Sequence, residues 1–439
     1  MKLTIEKVIY GGQGLARAPE GSVPHGGMRV FVPFTLPGEI VEAAITEEHR
    51  GYCVGEAQQI QRASEFRAEP PCPWFGACGG CQLQHSLYQY QVKMKREMLA
   101  ESLTRAGLRE LPPISVLTGE SLGYRNRIRL QVQTKPDFSI GYRKAKSHLL
   151  TAIDHCMIAA PLLEKCIVAA RGLGQQGVVP TETQEMELFT NHDQSELLVT
   201  IWTRPHPRFE QNLYTDLFQQ LQQEIPQLSG AAVFPAEKDR GSAARPVTQW
   251  GQQSLHYTVA ARVYTVSLGS FFQANATLLD RFMENVTNSQ AGACAWDLYA
   301  GVGLFSLALT ERFERVVAVE SSPSACKDLR GNLQNTNAEP ISSTTLRFLQ
   351  QAVQQITERR EPAPDIVLLD PPRAGVGIDA CNLLARCNAR RIVYVSCDPA
   401  TLGRDLAALI QSGYRLHRLQ LVDMFPQTHH METIATLHR

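Results

Sequence analysis

The stretch from Trp296 to Glu432 constrains the fold more than any other part of the chain. Ala295-Trp296-Asp297-Leu298-Tyr299-Ala300-Gly301-Val302-Gly303-Leu304-Phe305 reads as an apolar strand, an acidic glycine-rich turn and the start of a helix. Strand and helix then alternate. Strands are expected at Cys294–Leu298, Val316–Glu320, around Thr345–Leu349, and at Asp365–Leu369, Arg391–Val395, Leu416–Leu421 and Glu432–Leu437. Helices are expected to about Arg312, from Ser324 and from Ala400. Such alternation predicts a doubly wound, Rossmann-like α/β sheet. In these sheets the ligand lies beyond the carboxyl ends of the strands. Asp297, Glu320, Asp370 and Cys397 all fall at or near predicted strand ends, so residues far apart in sequence can converge there.

The rest of the chain bounds the context. With 439 residues, two to four domains are expected. Lys plus Arg (43) balance Asp plus Glu (43), so any RNA footprint must come from local basic patches. No apolar run is long enough to span a bilayer. The start, Met1-Lys2-Leu3-Thr4-Ile5-Glu6-Lys7, has an acid where a signal peptide needs an apolar core, so a cytoplasmic protein is expected. In that setting clustered cysteines point to metal binding or catalysis ahead of disulfides. No obligate protein partner is indicated.

Taken in order, residues 1–62 read as a small β-barrel of the kind that binds oligonucleotides, with short alternating strands split by turns such as Gly11-Gly12-Gln13-Gly14. Residues 63–265 form a mainly β central region with inserted helices, one of them over 86–107. It opens on Cys72-Pro73-Trp74-Phe75-Gly76-Ala77-Cys78-Gly79-Gly80-Cys81. Three thiols this close can share one metal centre, and the glycines let backbone N–H groups approach sulfur. Cys156, in Asp154-His155-Cys156-Met157, is the best fourth ligand. Zinc and a four-thiolate iron–sulfur cluster both fit that set. Arg125, Arg127 and Arg129 alternate on one strand face, and Arg143, Lys144 and Lys146 add a second basic patch. Together they suggest a groove for a phosphate backbone, set against a solvated charged sheet face. Ala236–Pro246 reads as a loop or linker. Residues 266–439 form the catalytic domain.

The chemistry lies in the motifs of that last domain. Asp297-x-x-x-Gly301-x-Gly303 permits close backbone approach to a cofactor, and Glu320 can accept the hydroxyls of a ribose. The third glycine of the dinucleotide pattern and a phosphate-binding Gly-Lys-Ser/Thr loop are both missing, which favours S-adenosylmethionine. Asp370-Pro371-Pro372-Arg373 makes a stiff turn whose carboxylate and carbonyls can face a pocket. Cys397, in Ser396-Cys397-Asp398-Pro399, abuts the start of a helix, where a thiolate is favoured. Glu432, in His429-His430-Met431-Glu432-Thr433, offers a proton acceptor. A nucleophile and a base together fit methylation at carbon 5 of a uracil. Thiolate addition at carbon 6 makes carbon 5 nucleophilic enough to take a methyl group, and a base then removes its proton.

With those motifs in that order, the whole chain resembles the RNA uracil-C5 methyltransferases. The resemblance implies an N-terminal TRAM domain and a [4Fe-4S] cluster on Cys72, Cys78, Cys81 and Cys156. Ser270-Phe271-Phe272-Gln273-Ala274-Asn275 is similar to the family segment whose glutamine contacts S-adenosylmethionine. Tyr299, Glu320 and Asp370 fall on the other cofactor-contacting positions. Cys397 matches the nucleophile and Glu432 the base; Met431 stands where small β-branched residues are common. Having both TRAM domain and cluster, the chain resembles the branch that acts on 23S ribosomal RNA. The same chemistry on a tRNA uridine is the alternative. A radical S-adenosylmethionine enzyme would usually show a Cys-x3-Cys-x2-Cys trio with an open iron site, and the first gap here is longer. A non-enzymatic iron–sulfur RNA-binding protein would leave Asp370, Cys397 and Glu432 unexplained. An amine methyltransferase would not need Cys397.

Overall fold

The structure, a computed structural model of the full chain, describes residues 1–22, 26–145, 147–204, 211–235, 245–288 and 291–439. Lys146 and most of the Ala236–Pro246 loop lie outside the described residues. The chain divides into two compact units. The first comprises Met1–Glu101, Tyr142–Thr151 and Phe425–Met431; the second comprises Ser102–Gly141, Ala152–Met424 and Glu432–Arg439. Among the described residues no helix is long and apolar enough to cross a membrane.

The first unit is built on β1 (Lys2–Thr4), β2 (Lys7–Val8), β3 (Gln13–Arg17), β4 (Arg29–Pro33), β5 (Ile40–His49) and β6 (Tyr52–Arg62), which form one sheet in the order β1-β5-β6-β4-β3-β2. Alternation along these strands sends Leu3, Ala16, Val30, Val32, Val41, Ala43 and Cys53 into a single core. The cysteine loop follows, and then α1 (Tyr88–Arg105), which ends before Gly107 at φ +96° as its spacing predicts. At the base of the sheet Glu39 is fully buried. It accepts from Arg67 Nε (2.6 Å) and Nη2 (2.8 Å) and from the Leu36 and Ser64 amides (2.8 and 3.1 Å).

β7 (Ile114–Leu117) lies in the second unit and precedes a seven-stranded sheet, most of which belongs to that unit. That sheet contains β8 (Arg127–Gln133), β9 (Ser139–Arg143), β10 (Leu150–Ala152), β11 (Thr183–Thr190), β12 (Leu197–Thr203), β13 (Leu228–Pro235) and β14 (Thr248–Gly251), in the order β10-β9-β8-β11-β12-β13-β14. Helices α2 (Pro161–Gln175) and α3 (Gln211–Glu224) are inserted along it. A hairpin, β15 (Ser254–Val259) and β16 (Arg262–Ser267), leads to α4 (Leu279–Thr287).

The catalytic sheet contains β17 (Gly292–Leu298), β18 (Phe313–Glu320), β19 (Ala338–Ser342), β20 (Ile366–Leu369), β21 (Arg391–Ser396), β22 (Arg415–Val422) and β23 (Glu432–His438). Their order is β19-β18-β17-β20-β21-β23-β22, and only β23 runs antiparallel to its neighbours. Its helices are α5 (Leu304–Leu309), α6 (Pro323–Asn332), α7 (Thr345–Thr357), α8 (Ile378–Cys387) and α9 (Pro399–Gln411). The order reverses at β17, so the turn after it faces the crevice in which doubly wound sheets bind ligands. Ile366-Val367-Leu368-Leu369 is buried at every position, as expected of a parallel strand covered on both faces.

Two elements differ from the sequence reading. Ile114–Leu117, taken as part of the central β region, pairs in parallel with β22 and extends the catalytic sheet. Thr345–Leu349, expected as a strand, opens helix α7. Thr344 accepts the Arg347 amide as an N-cap, and Phe348, Leu349, Ala352 and Val353 are buried at helical spacing. The strand at this place is Ala338–Ser342.

Candidate active site

The cofactor-side residues sit in the turns after β17, β18 and β20. Tyr299 adopts φ +65°, and Gly301 (φ +57°) and Gly303 (φ +94°) continue the left-handed turn into α5. A β-carbon on Gly303 would lie 2.9 Å from Leu329 Cδ1, so this glycine serves helix packing as well as the turn. Glu320 ends β18. Its Oε1 accepts the Ser321 and Ser322 amides (2.7 Å each), and its Oε2 accepts the Gly301 amide (2.9 Å). An ionised carboxylate offers about four acceptor positions, so Oε2 retains room for a ligand hydroxyl. Asp297 is fully buried. Its Oδ2 accepts from Ser306 Oγ, while its Oδ1 has no hydrogen-bond partner among the described residues. Burial first, and the nearby Glu320 charge after the opposing Ser306 bonds, push its carboxyl up to about 7. Burial raises the Tyr299 hydroxyl, against a hydrogen bond with Thr345.

Gln273 is buried, and its Nε2 donates to Asp370 Oδ2 at 3.2 Å. The surrounding segment is held from several sides. Asn126 Nδ2 donates to the Gln273 carbonyl (3.1 Å) and Tyr257 Oη (2.8 Å), Ser270 Oγ donates to Asp328 (2.6 Å), and Asn275 Nδ2 donates to the Met424 carbonyl (3.1 Å). None of Asn126, Tyr257 and Asp328 stood out in the sequence, because a polar residue between apolar neighbours carries no signal of its partner.

The nucleophile side is set by strand register. In the antiparallel β21–β23 pair, Ser396 stands opposite Thr433. One step further, Cys397 and Glu432 are brought to neighbouring positions. Glu432 is buried, and its Oε2 has no hydrogen-bond partner among the described residues. Burial, and then the charge of Asp370, raise its carboxyl well above the usual range, while Arg373 opposes the shift. Asp370 is pushed up to about 7 by burial and by Asp297, against the Gln273 hydrogen bond. The half-buried Cys397 thiol is pushed up to about 12 by burial, then by the charges of Glu432 and Asp370; Arg373 opposes this.

That last shift reverses an expectation. A thiolate favoured by a helix N-terminus was anticipated, but α9 starts at Pro399 and its N-cap, Asp398, already accepts the Ala400 and Thr401 amides (3.0 and 2.9 Å). The helix end is therefore occupied by a carboxylate, and Cys397 rests as a thiol. Arg373 opposes the shifts of both Cys397 and Glu432. The loop it begins is pinned by the fully buried Asp405, which accepts from Tyr394 Oη (2.7 Å), the Val376 amide (2.8 Å) and Arg404 Nε (2.8 Å). Asp405 was not visible in the sequence, because an aspartate inside a helix reads as a surface residue.

The predicted metal ligands are divided between the units. Cys72, Cys78 and Cys81 belong to the first and Cys156 to the second. Among the described residues, no three or more His, Cys, Asp or Glu side chains are grouped as a metal site. The loop nonetheless has the chemistry that thiolate sulfur needs. Burial raises the Cys72 thiol, opposed by hydrogen bonds from the Trp74 and Phe75 amides, and the Gly80 amide donates to Cys78 Sγ at 3.4 Å. A β-carbon on Gly79 would lie 2.8 Å from the Arg143 carbonyl oxygen, so that glycine permits the loop's close approach. Aromatic rings cover one side: Phe34 and Phe75 meet edge-on at 5.0 Å, and His85, held down to about 4 chiefly by burial, lies 5.6 Å from Phe75.

The arginine row of β8 is not an open phosphate groove. Arg129 Nε pairs with Glu185 (2.8 Å) and its guanidinium stacks 3.5 Å from the Trp202 ring centre. Arg127 is mostly buried, lies 3.8 Å over Phe189, faces Glu187 at 3.9 Å and donates to the Ser270 carbonyl (2.7 Å). The strand alternation was read correctly, but β11 supplies the carboxylates and Phe189, and β12 supplies Trp202, that occupy these cations.

Comparison with known proteins gives a consistent family. Residues 247–439 match the tRNA (uracil-5-)-methyltransferase family, and residues 1–57 match the TRAM domain. The 23S rRNA (uracil(1939)-C(5))-methyltransferase RlmD of Chromohalobacter salexigens is 33% identical over 464 aligned positions, covering 100% of this chain and 89% of that protein. The protein of the same name from Shewanella sp. (strain ANA-3) is 31% identical, over 94% of this chain and 92% of its own. The solved structure of Pyrococcus abyssi tRNA (uracil-54, C5)-methyltransferase in complex with S-adenosyl-L-homocysteine shares the fold, with a TM-score of 0.76 over 100% of both chains at 24% identity.

Proposed function

The chain belongs to the S-adenosylmethionine-dependent RNA uracil-C5 methyltransferases, and on that premise we propose that it methylates carbon 5 of a uridine in 23S ribosomal RNA through a covalent Cys397 adduct. The observation that carries the mechanism is the pairing of Cys397 and Glu432 at adjoining register positions, within the influence of Asp370 and Arg373. The choice of ribosomal RNA follows the substrate named for the relatives that align along nearly the whole chain. A cytoplasmic site of action goes with it. On this reading residues 1–62 grip RNA, residues 63–265 carry the cysteine loop, and residues 266–439 perform the transfer.

Cys397 adds its sulfur to carbon 6 as the thiol proton leaves to water. The electron pair of the carbon 5–carbon 6 double bond moves toward carbon 5 and the carbonyl at carbon 4. S-adenosylmethionine supplies an electrophilic methyl group to that carbon. Glu432 takes the carbon-5 proton, the double bond re-forms, and Cys397 is expelled as thiolate. A buried carboxylate with a raised pKa is a stronger base than an exposed one, which suits Glu432 to this step. Gln273, Tyr299, Glu320 and Asp370 would hold the methyl donor. The target base must leave its stack to reach Cys397.

Cys72, Cys78, Cys81 and Cys156 are proposed as ligands of a [4Fe-4S] cluster. The amide-to-sulfur contacts in the first unit and the thiolate chemistry of the set support it. The cluster would stiffen the cysteine loop, and no electron transfer is needed for methylation.

The test is denaturing electrophoresis after incubation with S-adenosylmethionine and RNA containing 5-fluorouridine, from which carbon 5 can lose no proton. A slow-migrating protein–RNA band with 23S rRNA, absent in Cys397→Ala, is expected. A band with tRNA alone would move the substrate to tRNA. Methylated product without any adduct would overturn the covalent mechanism.

A further inference from the structure

The loop Asp423–Met431 that joins β22 to β23 ends immediately before Glu432. Its segment Phe425–Met431 belongs to the first unit, and there it is tied down with unusual completeness. Gln427 takes φ +69°, a left-handed conformation that costs a non-glycine residue energy and persists only where its surroundings enforce it. The enforcement is visible. The Gln427 carbonyl accepts the Gln82 and Leu83 amides (3.0 and 2.9 Å). Its amide donates to Gln91 Oε1 (3.1 Å), and its side-chain Oε1 accepts from Gln91 Nε2 (2.9 Å). Gln91 Nε2 also donates to the Ser86 carbonyl (2.9 Å), which fixes the orientation of its amide.

Neighbouring contacts extend the same grip. Lys95, fully buried on α1, donates Nζ to the Phe425 carbonyl at 2.9 Å. Gln82, directly after Cys81, donates to the Gly79 carbonyl (2.9 Å), and its Oε1 lies 3.0 Å from His429 Nδ1. Tyr10 meets the His429 ring edge-on at 5.4 Å. Gly12 would place a β-carbon 2.7 Å from Gln82 Cβ, so only a glycine lets that turn reach the site. The N-terminal sheet, the cysteine loop and α1 thus all hold the segment that precedes Glu432.

We propose that Gln91, with Gln427, is a positioning residue for the proton-abstraction step: it locks the strap Phe425–Met431, which leads directly into Glu432, and so restrains the backbone from which the base reaches carbon 5 of the adduct. The proposal rests on Glu432 being the base. Cys397 reaches its place from β21 and does not depend on the strap. Loosening the strap therefore affects removal of the proton while leaving sulfur addition and methyl transfer intact.

This gives a signature that a general loss of folding or RNA binding does not. The probe is whichever RNA, 23S rRNA transcript or bulk tRNA, the wild-type protein methylates, prepared with uridine and with 5-fluorouridine. Gln91→Leu keeps the side-chain volume and removes both amide contacts. Its turnover on uridine RNA is expected to fall by roughly tenfold or more, part of the roughly 10²–10⁴-fold that a positioned base contributes. Its rate of adduct formation on 5-fluorouridine RNA is expected to stay at the wild-type value, and on ordinary uridine RNA the methylated adduct is expected to accumulate. Gln427→Gly, which accepts the left-handed conformation without strain and lacks the side-chain contact, is expected to do the same, and guards against misfolding of the first variant. Equal losses in trapping and turnover for both variants would overturn the proposal, as would unchanged turnover. Glu432→Gln is the reference: if it fails to accumulate adduct on uridine RNA, the base assignment itself falls, and the proposal with it.

Discussion

Glu39 and Glu432 are both buried glutamates, and the chain treats them in opposite ways. Glu39 is surrounded by the Arg67 guanidinium and the Leu36 and Ser64 amides, which outweigh burial and hold its carboxyl below the usual range. Glu432 has an oxygen with no partner, and burial together with Asp370 drives its carboxyl up. A buried polar atom left unpaired costs about 1–3 kcal/mol. Glu39 avoids that penalty and gains a rigid corner. Glu432 accepts it where the proposed chemistry needs a carboxylate whose proton affinity has not been satisfied in advance.

The sharpest way to break this comparison is Glu432→Gln. Its turnover should fall by roughly 10²–10⁴-fold while the fold is kept, read by single-turnover methyl transfer and by circular dichroism. A fall confined to RNA affinity would place Glu432 with the structural carboxylates. The matching change in the first unit, Arg67→Met, strands the Glu39 charge and should cost about 3–5 kcal/mol in urea unfolding near neutral pH. Its sign with pH is fixed by the lowered Glu39 pKa. The pair's contribution is present above the unfolded carboxylate value and is lost as pH falls through the folded one, so the gap between wild type and variant should close in acid.

Thiol chemistry gives a smaller effect. Because burial, and then the charges of Glu432 and Asp370, push the Cys397 thiol up to about 12, alkylation of the Cys397 peptide by iodoacetamide should be slow near neutral pH and rise about tenfold per pH unit. Asp370→Asn or Glu432→Gln should each speed it at fixed pH, as followed by mass spectrometry; no change would mean that neither charge reaches the sulfur. The smallest effect concerns Asp297, pushed up to about 7. A carboxyl raised in the folded state stabilises below its unfolded value, and that contribution is lost as pH rises through the folded one. Asp297→Asn should therefore gain urea stability relative to wild type between about pH 4 and pH 8. A constant difference across that range would show Asp297 to be ionised throughout.

Much of this was legible in the chain. Asp297, Glu320, Asp370 and Cys397 announce themselves because apolar strands end on them, and a doubly wound sheet gathers strand ends. Other features escaped for physical reasons. Thr345–Leu349 is β-branched and aromatic enough to read as a strand, and only the Thr344 cap shows it to be a helix start. The thiol's protonation depends first on burial and then on the charges of Glu432 and Asp370, which lie far from Cys397 in sequence. Gln82 and Gln91 looked like surface residues, since a glutamine's role lies in the partner it meets, here across more than three hundred residues of sequence.

The arginines of β8 have a consequence for how RNA affinity should respond to ionic strength. Each phosphate neutralised by a mobile cation releases counterions and steepens the dependence on salt. Arg127 and Arg129 are already engaged by Glu187 and Glu185 and stacked on Phe189 and Trp202, so recruiting them would first require those pairs to break. They act as an internal salt, silent in a titration of binding against potassium chloride. The slope of that titration counts only cations elsewhere on the chain.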